Sequence, residues 1–149
     1  MSESNRLPVH NAFFWGGLTI YAVSFFLVAV NDSVPAGQAI RGFSCAYLAF
    51  LSWFSPSNME PGHAFEYMRI AYICVMTSGL INPLFFLYIV NPMPAIRRAL
   101  LSIIPSCWVV FYYEGFIPRE GHILWVLGML LVLYSDRLGP QPFAATVGE

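Results

Sequence analysis

Polar and apolar positions along this chain are sorted into long blocks. Between formal charges lie five runs dominated by apolar side chains: Leu7–Asn31, Gly42–Met59, Ile70–Ile96, Ala99–Tyr113 and Gly121–Ser135. A helix rises about 1.5 Å per residue, so roughly 20 apolar residues cross a hydrocarbon core of about 30 Å. The first and third runs reach that length, and the second nearly does. The last two need snorkelling flanks or a thinned bilayer. Helix-stopping clusters separate the runs, among them Asn31-Asp32-Ser33-Val34-Pro35, Ser55-Pro56-Ser57-Asn58 and Asn91-Pro92-Met93-Pro94. The pattern predicts an all-α polytopic membrane protein, a single compact bundle of five transmembrane helices over 11–30, 37–54, 64–90, 96–113 and 122–137. Four spans is the alternative, with the segment around Pro105 re-entrant or lying at the interface. Re-entrant backbone needs protein or water to satisfy it, and a chain of 149 residues offers little such cover.

Composition strengthens this reading. Hydrophobic residues make up 58% of the chain and charged residues 10%, against about 25% charged in ordinary soluble domains. Too little polar surface remains to clothe a water-soluble globule, and no segment is long enough for a separate soluble domain. With a net charge of −1 and no lysine, the chain has no basic stripe for nucleic acid. Arg97-Arg98 is the one adjacent basic pair, so no polybasic lipid patch forms either. Cys45, Cys74 and Cys107 each sit inside an apolar run. Their odd number and wide spacing fit small packing residues, not a disulfide framework or a zinc site. The first apolar run is too long for a signal-peptide core and ends without a small-x-small motif, so a retained first helix is expected. Arg41, Arg97, Arg98 and Arg137 fall on one side of the five-span topology and Arg6, Arg69 and Arg119 on the other. The positive-inside rule then places the N-terminus outside and the C-terminus in the cytoplasm, in a bacterial inner membrane.

Two groups of residues carry candidate chemistry. The first is intramembrane: Ser78, Asn82 and Pro83, with Glu66 and Arg69 nearer the helix start. Pro83 removes one helical hydrogen bond and frees a carbonyl near Gly79, while Ser78, Gly79 and Asn82 share a face suited to close helix contact. The plain reading is a packing kink; the sharper one is a polar path for an ion or substrate. Glu60, His63 and Glu66 at three-residue spacing fit an acidic first turn better than a metal site, which needs further ligands. Arg41 and Arg69 lie near helix ends, where arginine snorkels cheaply, and Arg69 is placed to pair with Glu66 or Asp32.

The second group is the boundary loop from Tyr112 to His122. Tyr113, Glu114, Phe116, Arg119, Glu120 and His122 combine aromatic, acidic and basic side chains, the mixture that protein-binding surfaces concentrate. Interfacial aromatic belts account for the same tyrosines, and for Trp108 and Trp125, without a partner. No histidine pair for haem, no serine–histidine pair and no nucleophile motif is present, so no catalytic residue, cofactor or metal ligand is assigned.

The architecture as a whole, small and polytopic with short loops, resembles that of membrane immunity proteins, which protect a cell against pore-forming toxins. It also resembles that of accessory subunits of larger membrane complexes. The resemblance implies a non-enzymatic role: binding a membrane protein partner, toxin or complex subunit, in or at the lipid bilayer. An oligomeric channel or transporter component, working as a homo-oligomer, is the competing expectation.

Overall fold

A computed structural model describes residues 11–32, 39–51, 53–54 and 65–138 of the chain. It is mostly helical, with one small sheet. Helix α1 (Ala12–Ser24) leads into strand β1 (Val28–Asp32), and β2 (Ala39–Arg41) leads into α2 (Gly42–Leu51). Then come α3 (Phe65–Gly79), α4 (Ile81–Val90), α5 (Pro94–Ile103) and α6 (Ser106–Glu114). Strand β3 (Phe116–Pro118), α7 (Glu120–Leu133) and the single turn α8 (Ser135–Leu138) complete the described chain. Two helical stretches, Ile73–Val90 and Pro94–Tyr112, are long and apolar enough to cross a membrane; the first run, expected to be long enough, holds only the short helix Ala12–Ser24, and the fourth, expected to fall short, gains length from Pro94 onward.

Local chemistry explains most of the boundaries. Asn11 caps α1 by accepting the Phe13 N–H at 2.9 Å, and its amide donates to the Ser135 carbonyl, tying the start of α1 to the end of α7. Pro83 has no N–H to offer the Gly79 carbonyl, so the break between α3 and α4 falls at Leu80, a turn upstream of the proline. Pro105 does the same between α5 and α6, where Ile104 still donates to Leu100 at 3.0 Å before the helix restarts. Gly115 takes a left-handed φ of 67°, which ends α6 and turns the chain into β3.

The sheet corrects the all-α expectation. Helix one, predicted to Val30, stops at Ser24, and helix two begins at Gly42 because Ala39–Arg41 is strand. Strand β1 lies in the middle, antiparallel to both neighbours. Val30 is opposite Ile40 on one side and Pro118 on the other. A short apolar run such as Val28-Ala29-Val30 satisfies helix and strand periodicity alike, and its β-branched residues take the strand once partners are supplied. Those partners come from residues distant in sequence. The segment around Pro105 is helical on both sides, as α5 and α6.

The core is built where α1, α4, α5 and α7 meet, around Ile81, Phe85, Leu100, Met129, Val132 and Leu133. Helices α1 and α7 approach most closely. A Cβ on Gly17 would stand 2.8 Å from the Leu131 Cβ and 2.9 Å from the Gly128 carbonyl oxygen. A Cβ on Gly128 would stand 2.5 Å from the Tyr21 nitrogen. Only hydrogen fits at either position, which is how small residues let helix backbones touch. Gly16 next door has nothing within 4 Å. Helix α2 crosses α3 the same way, with Gly79 against the Ala49 carbonyl. At the end of the molecule away from the sheet, Arg97 pairs with Asp136 at 3.1 Å and lies over the Tyr134 ring at 4.5 Å.

Candidate functional site

Between the sheet and helices α1, α2, α3, α4, α6 and α7 the packing leaves a cavity of about 270 Å³. Val30, Ile40 and Phe116 form the sheet wall, and Ala46, Val75 and Val110 contribute to the helical walls. Its lining is mostly apolar. No Asp, Glu or Arg lines it among the described residues. The few polar groups are therefore conspicuous, and their hydrogen bonds can be accounted for one by one.

Asn82, on the first turn of α4, stands at the centre. Its Oδ1 accepts the Tyr21 hydroxyl of α1 at 2.9 Å and the Trp125 indole N–H of α7 at 3.1 Å. The indole can only donate, so the amide oxygen is the atom turned toward it and Nδ2 is left on the other side. Three helices are thus joined through one side-chain oxygen, at the level where Pro83 interrupts the helix.

His122, on the first turn of α7, is 5% exposed. Trp125 stacks on its imidazole at 5.4 Å with the planes 29° apart. Phe111 meets it edge-on at 4.6 Å and Trp108 at 6.3 Å. Within this aromatic enclosure Nε2 is buried and has no hydrogen-bond partner among the described residues. Burying a polar atom unpaired costs about 1–3 kcal/mol, so such an atom asks for an explanation. Asn31 Oδ1 and Arg97 Nη2 are also unpaired, but His122 alone of these three residues lines the cavity.

The remaining polar lining is committed. Ser24 donates to the Tyr21 carbonyl at 2.6 Å and Ser78 to the Val75 carbonyl at 2.7 Å. Cys45 and Cys107 are free thiols.

Sequence reasoning put Ser78 and Asn82 in one group and Phe116 and His122 in another; the fold brings all four to a single cavity. His122 was expected on an exposed partner-binding loop and is instead buried, because α7 starts at Glu120 and turns its first-turn imidazole inward. Arg119 and Glu120 do stay outside, half-exposed and paired at 3.4 Å, an arrangement of little energetic weight. Pro83 shapes the helix without lining the cavity. Glu66 and Arg69 lie on α3 and Tyr113 and Glu114 at the end of α6, but their side chains, like that of Asp32, are outside the described set. Glu60 and His63 lie outside the described residues altogether.

Two members of the site were missed. Trp125 reads as an interfacial anchor in sequence, yet its indole points inward to Asn82. Tyr21 carried a usable signal: a phenol in the middle of an apolar run needs a buried partner for its hydroxyl. The partner's identity lay in another helix.

No protein-family model, curated protein or solved structure matches the chain.

Proposed function

We propose that this chain is a five-span protein of a bacterial inner membrane, N-terminus outside, that works by binding without chemistry of its own, and that the cavity at Asn82 and His122 is its binding site. The single observation that carries the reading is the cavity itself, a mostly apolar space walled by six helices and the sheet, with Asn82 and the buried His122 among its lining residues.

The membrane location draws support from how side chains are distributed. Large apolar residues face outward on several helices, with Ile73 61%, Tyr47 60% and Trp108 59% exposed, while Ser24, His122 and Ser135 are buried. Water-soluble proteins rarely leave so much apolar surface open, and lipid tails cover it without cost. Each of the five apolar segments contains a helix, and the shorter ones fit five spans where flanking residues snorkel.

A second reading, neutralisation of a membrane-active toxin or docking as an accessory subunit, is favoured by one specific feature. Tyr112, Ile117, Arg119 and Glu120 form an exposed rim around β3, mixing aromatic and charged side chains as partner surfaces do.

One preparation tests both. The tagged full chain is extracted in native-lipid particles, and its small molecules and proteins are identified by mass spectrometry. The cavity reading expects a small molecule enriched over bulk lipid and lost in C45F, which fills the space. A stoichiometric protein with no enriched small molecule would sink it in favour of the rim, and harm on deletion confined to cells that meet the toxin would then separate neutralisation from an accessory role.

A further inference from the structure

Taking the cavity as the binding site, its frame and its lining say what kind of molecule it holds. Three glycines pin the surrounding elements backbone to backbone. A Cβ on Gly42 would stand 2.6 Å from the Ser24 carbonyl oxygen, one on Gly121 2.7 Å from that of Val28, and one on Gly79 2.5 Å from that of Ala49. These contacts hold α2 to the end of α1, α7 to β1 and α3 to α2, while the Asn82 oxygen ties α1, α4 and α7. A frame fixed at these points keeps the walls from closing on the space. Left empty, it loses the dispersion attraction that its lining would have for an occupant.

The lining sets the chemistry. No Asp, Glu or Arg is on it among the described residues, so a charged molecule would give up its hydration without gaining a partner. The polar groups whose bonds can be traced are already engaged: Tyr21 and Trp125 donate to the Asn82 oxygen, and Ser24 and Ser78 to backbone carbonyls. His122 Nε2 has essentially no accessible surface, with Trp125 and Phe111 against its ring, so it calls for no polar ligand. The rest of the wall is aliphatic and aromatic, with Val30, Ile40, Val75, Phe111 and Phe116 among its members.

Size and opening narrow the class further. An apolar cavity of about 150 Å³ stays dry and takes up benzene. At about 270 Å³ this one has room for such a ring with a short alkyl chain. Leu48 lines it and is also 55% exposed, which puts an opening beside α2. Tyr47 and Phe50 of the same helix are exposed too, so the opening lies on apolar surface that faces lipid in the membrane reading. We propose that the cavity binds a small uncharged lipophile of the size of an alkylbenzene, drawn from the bilayer beside α2 and held by packing alone. This rests on the reading of the cavity as the binding site.

The test uses the full chain in phosphatidylcholine nanodiscs, measuring saturable uptake of butylbenzene against protein-free discs. 4-Butylbenzoate and 4-butylphenyltrimethylammonium keep the ring and chain and add one charge of either sign; they are compared at matched concentration in the lipid. Butylbenzene is expected to saturate and to bind at least ~10-fold more tightly than either ion, because an unpaired charge is costly to bury. C45F and A46F, which put a phenyl group into the space, are each expected to lose at least ~10-fold. C74L, at a position outside the lining, is expected to bind as the wild type does. An ion that binds as tightly as butylbenzene overturns the ligand class and leaves the cavity a binding site. No saturable uptake of any of the three overturns the class as well. The cavity reading then falls with it if native-lipid particles hold no small molecule that C45F loses, and stands if they hold a charged one. Because these comparisons are made on the wild-type chain, misfolding of C45F or A46F cannot obscure them. L48W, which narrows the opening, is expected to slow uptake and release together with the affinity unchanged, and unaltered rates would overturn entry beside α2.

Discussion

Helix α7 is packed in two opposite ways along its length. Around Gly128 it presses against α1 so closely that a single methyl group has no room, and the seam is buried. Around His122 and Trp125 it stands back from α2, α3 and α6, and the space between holds the cavity. The difference follows from what each turn presents. Glycine against glycine lets two backbones meet, whereas an imidazole, an indole and the Asn82 amide keep helices apart and demand polar partners. Closed seams of this kind hold a small helical protein together; open ones leave room for a ligand.

That contrast can be broken experimentally, and G128L is expected to have the largest effect. Overpacking at the seam should cost ~3 kcal/mol, read as a large fall in the thermal midpoint of the purified protein in detergent. G16L, beside the seam but in open space, should stay within about 0.5 kcal/mol. Equal damage from both would mean that the seam is not what holds α1 to α7.

N82L comes next. It strands the Tyr21 hydroxyl and the Trp125 indole together, at ~2 kcal/mol, and the same thermal measurement reads it. Y21F removes one of those donors and leaves Asn82 with the other, so about 1 kcal/mol is expected. If Y21F proved as damaging as N82L, the indole bond would contribute nothing and the three-helix junction would reduce to a pair.

At the far end, D136N should be the mildest. Asp136 is half-exposed and its pair with Arg97 is open to solvent screening, so ~0.5 kcal/mol or less is expected, shrinking further when the midpoint is measured in high salt.

Much of the helical layout could be read from local signals. Asn11 was legible as the start of helix one, and it is the cap; Pro83 was legible as a kink, and the helix breaks a turn before it, whereas Pro105 was carried inside one helix and instead separates α5 from α6. These features depend on backbone geometry within a few residues, which sequence displays directly. The candidate site was half legible. Ser78 and Asn82 stood out as polar residues in an apolar run, and His122 as a titratable group in a mixed loop. That they face one cavity could not be read, because they sit on α3, α4 and α7 and no spacing rule joins them. Trp125 was assigned to the wrong environment for the same reason, since an aromatic residue near a boundary looks alike whether it faces lipid or an amide.

By itself, then, the sequence determined which segments are apolar and where most helices are interrupted, because transfer free energy and backbone propensity are properties of short segments; that the long stretches are Ile73–Val90 and Pro94–Tyr112, and not the first run, was decided by the fold. Tertiary structure alone decided that Val28–Asp32 would be a strand, that Gly17 and not Gly16 would meet a neighbour, and that Tyr21, Asn82, Trp125 and His122 would converge. Each of those outcomes depends on what stands opposite a residue, and the opposing group comes from a part of the chain that no local pattern encodes.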